Sequence, residues 1–427
     1  MIKKKIDKKF PMIKWAKDLF PLCRSLTGDG TRKTLRYFQN INNEFKILNF
    51  KSGKKVFDWS IPLEWNIKDA YIEHNSKKRF AEFKKNNLHI LGYSMPVNKV
   101  IKKEELLKHI YSQKDQPNSI PYVTSYYKKR WGFCMTENTK KKLPSGNYKV
   151  LINSTLSKGI MEIMHAKISG KSKKEIFFSS YVCHPSMANN ELSGPVLLNA
   201  IMQYLKAKYP KSFYSYRFVL LPETIGSIAY LSKFKNILKK NVICGFNLTC
   251  VGDEREYSVI NSPEGNTLAD YSLESALIGK KNVKSYSFLH RASDERQYCA
   301  PNIDLPLCRF SKSKDYPEYH TDKDDFKVVT EKGLDQSLDV FKDIIDAFET
   351  GLYPKTKILC EPNLGKRNLY PTISQKGSYN NELVMRMDLI ALSNGKNSIF
   401  KISKLLNKNL NTVCREYKLL KLKGLLV

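Results

Sequence analysis

Five short segments of this chain carry side chains suited to acid–base or metal chemistry, and each follows an apolar run. Residues 176–182 are followed by Cys183-His184-Pro185, residues 217–221 by Pro222-Glu223-Thr224, and residues 242–248 by a stretch reaching Asp253. Residues 285–289 lead to Ser293-Asp294-Glu295-Arg296, and residues 305–310 to Tyr316-Pro317-Glu318-Tyr319-His320-Thr321. A lone histidine is usually structural. Two histidines and several carboxylates delivered in succession reverse that expectation, because mixed imidazole and carboxylate ligation suits zinc with one position open for water. His74, His89, His109, His165 and His290 fall apart from these segments and read as structural.

To act together, the five segments need strands whose carboxyl ends share one edge, which is where ligands bind in open α/β sheets. Residues 176–182 form the continuous apolar run of a buried parallel strand. Helical periodicity over 192–204, 225–238, 266–278 and 331–350 alternates with strands at 217–221, 242–248, 285–289 and 305–310. That alternation predicts an α/β fold with a mostly parallel, doubly wound sheet and helices on both faces. Upstream, residues 11–42 read as one or two helices broken at Gly28–Gly30, and 45–50 as a first strand. Between 56 and 164, short aromatic and β-branched runs separated by Gly, Pro, Asn and Lys predict an inserted β-rich domain. Its Trp59, Trp65, Tyr126, Tyr127 and Trp131 are either its own core or the wall of a cleft. Residues 351–380 read as a linker or tail. Residues 381–427 break at 394–397 and 407–409 into three short helices, the outline of a winged helix-turn-helix. The expected domains are 1–55 with 165–380, 56–164, and 381–427.

With 427 residues, the chain is long enough for two or three cores. No apolar run approaches the ~18–20 residues of a membrane span, and the basic amino terminus lacks the apolar core of a secretory signal. Nine cysteines without a CxxC pair argue against a disulfide framework and for reduced thiols in the cytoplasm. The net charge of +32 resembles a polyanion-binding signal, yet only 13 of the 73 basic residues are Arg. Phosphate readers usually include Arg, whose planar fork grips two oxygens, so a solvated basic surface is the simpler reading. The third C-terminal helix presents Asn411, Thr412, Arg415, Lys418 and Lys421. One outward Arg makes base readout weak, and DNA is not the expected partner.

The strand-end segments resemble zinc aminopeptidases with a phosphorylase/hydrolase-like sheet. More specifically, the chain resembles bacterial aminopeptidase-like domain proteins with an inserted β-rich domain and a C-terminal winged helix, many of them encoded in surface-polysaccharide gene clusters. The resemblance runs through FPLCRSLTGDGTR at 20–32, residues 56–72, 126–134 and 183–194, PETIGS at 222–227, SDERQYC at 293–299, YPEYHT at 316–321, and 361–371. It implies His184 as first metal ligand and His320 as last, with Glu223 between them and Asp253 or Glu191 as further support. It also implies departures. The bridging Asp of that pattern falls on Asn190, a neutral amide that bridges two zincs poorly. The glutamate pair is reduced to Pro222-Glu223, and the Ser-Asp-His segment becomes Ser293-Asp294-Glu295. One zinc is therefore expected rather than two.

The implied activity is metal-assisted hydrolysis of amide bonds, with Asp294 and Glu295 as catalytic carboxylates and Glu223 or Glu295 as the base. Arg296, Tyr298 and Tyr319 would shape a pocket for a small peptide or an amide-bearing sugar. A homo-oligomer is compatible with this reading and a membrane partner is not. The rival reading is a non-catalytic scaffold or regulator that acts through its winged helix.

Overall fold

The computed structural model describes residues 9–427 apart from 372, 374, 376, 378 and 379. Two helices open it, α1 (Met12–Leu19) and α2 (Asp29–Ile41). Each buries one apolar stripe, Trp15 and Leu19 in the first, Leu35 and Phe38 in the second. Eight strands then build the central sheet: β1 (Lys46–Lys51), β2 (Ile160–Ile168), β3 (Glu175–Tyr181), β4 (Ser215–Leu221), β5 (Val242–Leu248), β6 (Tyr257–Ile260), β7 (Val283–Tyr286) and β8 (Leu307–Ser311). Interleaved with them are α3 (Ser193–Lys208), α4 (Ile225–Asn241) and α5 (Leu268–Leu277), and α6 (Glu331–Thr350) follows the last strand.

The strand order is β1-β2-β4-β3-β5-β8-β6-β7. The central four, β4, β3, β5 and β8, run parallel. The pairs β1–β2, β2–β4 and β6–β8 are antiparallel. Parallel strands are covered on both faces, which is why every residue of β3 and β4 is buried. Helices α1, α2, α3, α5 and α6 pack on one face. Helix α4 and the insert close the other. A buried ion cluster ties three of these strands together. Glu175 of β3 takes two bonds from Arg217 of β4, at 2.6 and 3.1 Å, and an ion pair from Lys167 of β2 at 2.9 Å.

The insert is built on two long antiparallel strands, Glu64–His74 and Asn147–Ser157, flanked by Arg79–Phe80 and Val97–Lys102. Its expected end at 164 falls inside β2, which pairs with β1 and β4 in the central sheet. In sequence β2 looks like the return arm of a hairpin with Asn147–Ser157. In the fold the chain changes sheets at Lys158 and Gly159. The four-residue strand β6 is too short to stand out in the sequence.

At the C-terminus, α7 (Asn381–Leu392), α8 (Ile399–Leu406) and α9 (Leu410–Leu422) form the three-helix unit. Lys355 pairs with Asn394 and Thr356 with Leu426, so the start of the segment read as a linker runs beside the wing. The unit docks onto the α/β body: Phe400 packs edge-on against Phe348 of α6, and Asn411 donates to Asp343 of α6 at 2.8 Å.

Candidate metal centre and substrate cleft

His184 leaves the carboxyl end of β3, and Glu223 leaves that of its neighbour β4. After His184 the chain makes a π-helical turn, Ala188–Leu192, that runs into α3 and buries Asn189, Asn190 and Glu191. Such turns widen a helix and re-aim its side chains. Here the turn aims Glu191 back at His184, where its Oε2 accepts from both the backbone N–H (2.9 Å) and Nδ1 (3.0 Å). A carboxylate only accepts, so Nδ1 carries the proton and Nε2 faces Glu223, whose Oε2 is 3.7 Å away. Behind Glu191 sits buried Arg24, its Nε 3.2 Å from Glu191 Oε1 and donating to the His184 carbonyl at 2.9 Å. Burial opposes the His184 imidazolium, but Cys183 and Glu191 outweigh it and hold its pKa above the ordinary value.

His320 lies in the loop after β8, with φ +56°. Its carbonyl accepts from the Tyr122 N–H at 2.8 Å, and its ring stacks on Tyr319 at 3.9 Å between centroids. The ring stands 5.7 Å from that of His184, and its buried Nε2 has no hydrogen-bond partner. Burial, aided by His184, pushes its pKa down to about 3, so the ring is neutral with a lone pair to offer. The loop is fastened by Asp324, which accepts from the backbone of Asn189 (2.6 Å) and Asn190 (2.9 Å) and from the Tyr316 hydroxyl (2.7 Å).

The remaining expected residues divide. Tyr319 does line the cleft. Asp253 does not serve as a free ligand: its oxygens accept from Asn189, Ser313 and the Arg255 N–H, which makes it a loop fastener. Glu295 is not available as a base, because its oxygens accept from Asn247 and from the backbone of Ala292 and Ser293. Asp294 binds the Thr224 N–H and the Ser227 hydroxyl, both at 2.7 Å. Burial and the nearby Glu223 charge push its pKa up to about 8, so it is mostly neutral at pH 7. Arg296 braces Thr224 at 2.8 Å rather than facing the cleft. Tyr298 is fully buried with its hydroxyl on Ser179, and so is no pocket residue. Reasoning from strand ends missed Arg24, Tyr122, Tyr181, Arg309 and Asp324. Of these, Arg24 alone stood inside a segment singled out by the resemblance.

Two cavities meet at Glu223. One, of about 330 Å³, is lined by His184, His320, Tyr122 and the insert's Trp59, Tyr126 and Tyr127. The other, of about 470 Å³, is lined by Tyr181, Asn190, Ser293, Arg309 and Tyr319. Three of the five insert aromatics therefore form cleft wall. Trp65 is buried against Tyr93, and Trp131 stacks on His109.

Among the described residues, Cys183, His184 and Glu191 form a group of three potential ligands whose atoms lie within 4.8 Å of one another. Glu191 Oε2 is already taken by His184, and burial pushes the Cys183 thiol up to about 11. This trio supports His184 from behind. The outward set is His184 Nε2, once an ion displaces its proton, with Glu223 and the orphaned His320 Nε2; it has the donor chemistry of a zinc site, and Glu191 behind His184 is the carboxylate partner that ligand histidines use. The chemistry of these donors suits a zinc ion, but the three do not share the 4.8 Å spacing of the inner trio, so holding one would draw them together. Asn190 Oδ1 is instead occupied by the Tyr181 hydroxyl at 2.6 Å.

Residues 13–351 match the family model described as Domain of unknown function (DUF4910), and residues 352–427 match a winged helix-turn-helix. The chain belongs to the DUF4910 family. A Clostridium acetobutylicum relative is 37% identical over 90% of this chain and 89% of its own, and is provisionally named a polysaccharide biosynthesis protein with an aminopeptidase-like domain. A crystal structure from the same organism, provisionally named a peptidase, is 34% identical with a TM-score of 0.90, covering 98% of this chain and 96% of that one. The zinc aminopeptidase of Bacillus subtilis shares the fold at 13% identity and a TM-score of 0.56, over 78% of this chain and 94% of its own. This DUF4910 chain therefore has an aminopeptidase-like α/β fold and a C-terminal winged helix. No described helix is long and apolar enough to cross a membrane.

Proposed function

We propose that the chain is a metal-dependent hydrolase of amide bonds that holds one zinc ion on His184, Glu223 and His320. The observation that carries this reading is the pairing of an unpartnered, neutral His320 Nε2 with a His184 whose Nε2 is turned outward by Glu191. A zinc ion there would lower the pKa of a water toward ~7 and polarise a scissile carbonyl. The protein's own part is orientation and proton handling. Arg24 and Glu191 fix the His184 tautomer. Among the described residues, Glu223 is the one carboxylate that lines both cavities, so it either completes the ligand set or takes the proton at the scissile amide. Asp294, held neutral, adds no second negative charge beside it. The aromatic wall of Trp59, Tyr126 and Tyr127 suits a sugar face or an apolar side chain. The relative's name favours a glycan-related amide, such as an N-acylated sugar, over a general peptide. Cytoplasmic location belongs to the same proposal.

Elemental analysis of the zinc-loaded chain tests the reading. We expect about one zinc per chain, lost in His320→Ala. Glu223→Gln should abolish amide hydrolysis, and whether it also loses zinc separates base from ligand. No bound zinc and no thermal shift on adding it would overturn the proposal. That outcome would favour the second reading, a non-catalytic platform, which the amide of Asn190 supports.

A further inference from the structure

The cavity on the far side of Glu223 from the histidines holds a buried cation that the hydrolytic reading does not use. Arg309 comes from the central strand β8 and is 5% exposed. Its Nη1 lies 3.7 Å from Glu295 Oε1, beyond hydrogen-bond reach. That carboxylate is already satisfied by Asn247, Ala292 and Ser293. Arg309 Nε is buried without a hydrogen-bond partner. A buried guanidinium left unbonded is costly, so the site is built for an acceptor that the protein does not itself provide. Nε is sealed from solvent, so the guanidinium end that lines the cavity is the part that can meet the two oxygens of a carboxylate.

We propose that Arg309 anchors a carboxylate of the substrate, so that the acid end of the molecule occupies this cavity and its amide lies beside Glu223. This rests on the amide-hydrolase reading and names the substrate class: an amide that carries a free carboxylate on one side of the scissile bond and a sugar-like or apolar group on the other. The sugar-like or apolar end faces the aromatic cavity of Trp59 and Tyr126. A monoanionic carboxylate fits better than a phosphate dianion. Glu223, Glu295 and Asp315 stand around the site, and the second cation of the cavity, Lys314, is already paired with Asp315 at 2.9 Å.

The test is isothermal titration of the full chain, stripped of metal by a chelator, with N-acetyl-L-alanine and with its neutral amide, N-acetyl-L-alaninamide. The acid should bind roughly tenfold or more tightly than the amide, the worth of a charge-assisted pair. Arg309→Lys keeps the charge but loses the fork, and should weaken the acid roughly tenfold, whereas Lys314→Gln should leave the preference intact. Equal affinity of acid and amide in the unmodified chain overturns the proposal without any variant. So does failure of the acid to bind, a preference that survives in Arg309→Lys and vanishes in Lys314→Gln, or inorganic phosphate binding more tightly than the acid. Metal-free protein turns nothing over, so an incorrect hydrolase assignment leaves this binding preference in place, and the two failures are told apart.

Discussion

At the scale of single residues, the site is governed by which lone pairs are spent. His184 Nδ1 and Glu191 are spent on each other, and Arg24 balances the carboxylate they share. His320 Nε2 is not spent at all. Asn190 marks where a second metal would need a charge, and its Oδ1 instead accepts from Tyr181. Replacing Asn190 with Asp puts a carboxylate among buried groups. In chelator, Asn190→Asp should lose stability by about 1–3 kcal/mol, the cost of an uncompensated buried polar group. Added zinc should recover it, because a carboxylate is the better ligand. Melting curves of both forms with and without zinc would show this, and an identical zinc response in the two would exclude Asn190 from the metal's surroundings.

At the scale of elements, the parallel strands must carry the site without loosening the sheet. The Glu175–Arg217–Lys167 group ties β3, β4 and β2 together inside the layer. Burial alone would raise the Glu175 pKa, but the bonds from Arg217 and Lys167 outweigh it and hold it below the ordinary carboxylate value of 4.5. A carboxyl depressed in the folded state contributes stability above its unfolded pKa, and loses that contribution as pH falls through the lower folded value. Glu175→Gln leaves Arg217 without its counter-charge and should cost about 3 kcal/mol at pH 7. Urea unfolding at pH 7 and at steps below pH 4.5 should show that gap shrinking as acid protonates the carboxyl, first in the unfolded chain and then in the folded one. A gap independent of pH would mean the group acts through packing alone.

At the scale of the whole molecule, the winged helix is packed onto the α/β body. Phe400, Val413 and Leu420 belong to the same apolar core as Phe341 and Phe348 of α6. Helix α9 lies on α6, where Asn411 donates to Asp343, and α8 lies on α5. A shared core should unfold as one unit. Calorimetry is expected to give a single endotherm for body and winged helix. An early, separate transition that disappears when residues 381–427 are removed would show the unit to be an independent appendage.

The local record in the sequence was enough for the architecture. Alternating apolar runs and amphipathic stretches gave the parallel sheet. The aromatic texture set 56–164 apart, with its end falling inside β2, and the strand-end rule pointed to the edge where His184, Glu223 and His320 stand. The rule marks an edge, and it does not say which way a side chain turns at that edge. Asp253 sits where the rule puts it, whereas Glu295 reaches the edge although β7 runs opposite to the central strands, and both are turned inward by backbone and amide donors. Arg24 lies 160 residues from the His184 carbonyl it holds, and Asp324 lies 134 residues from the Asn190 N–H it holds. Nothing local in the sequence marks such partners, because hydrogen bonds of this range exist only once the sheet, the π-turn and the insert have closed on one another. The sequence by itself determined which residue types reach the edge. The tertiary structure decided which of them kept a free lone pair or an unbonded N–H, and therefore which can act.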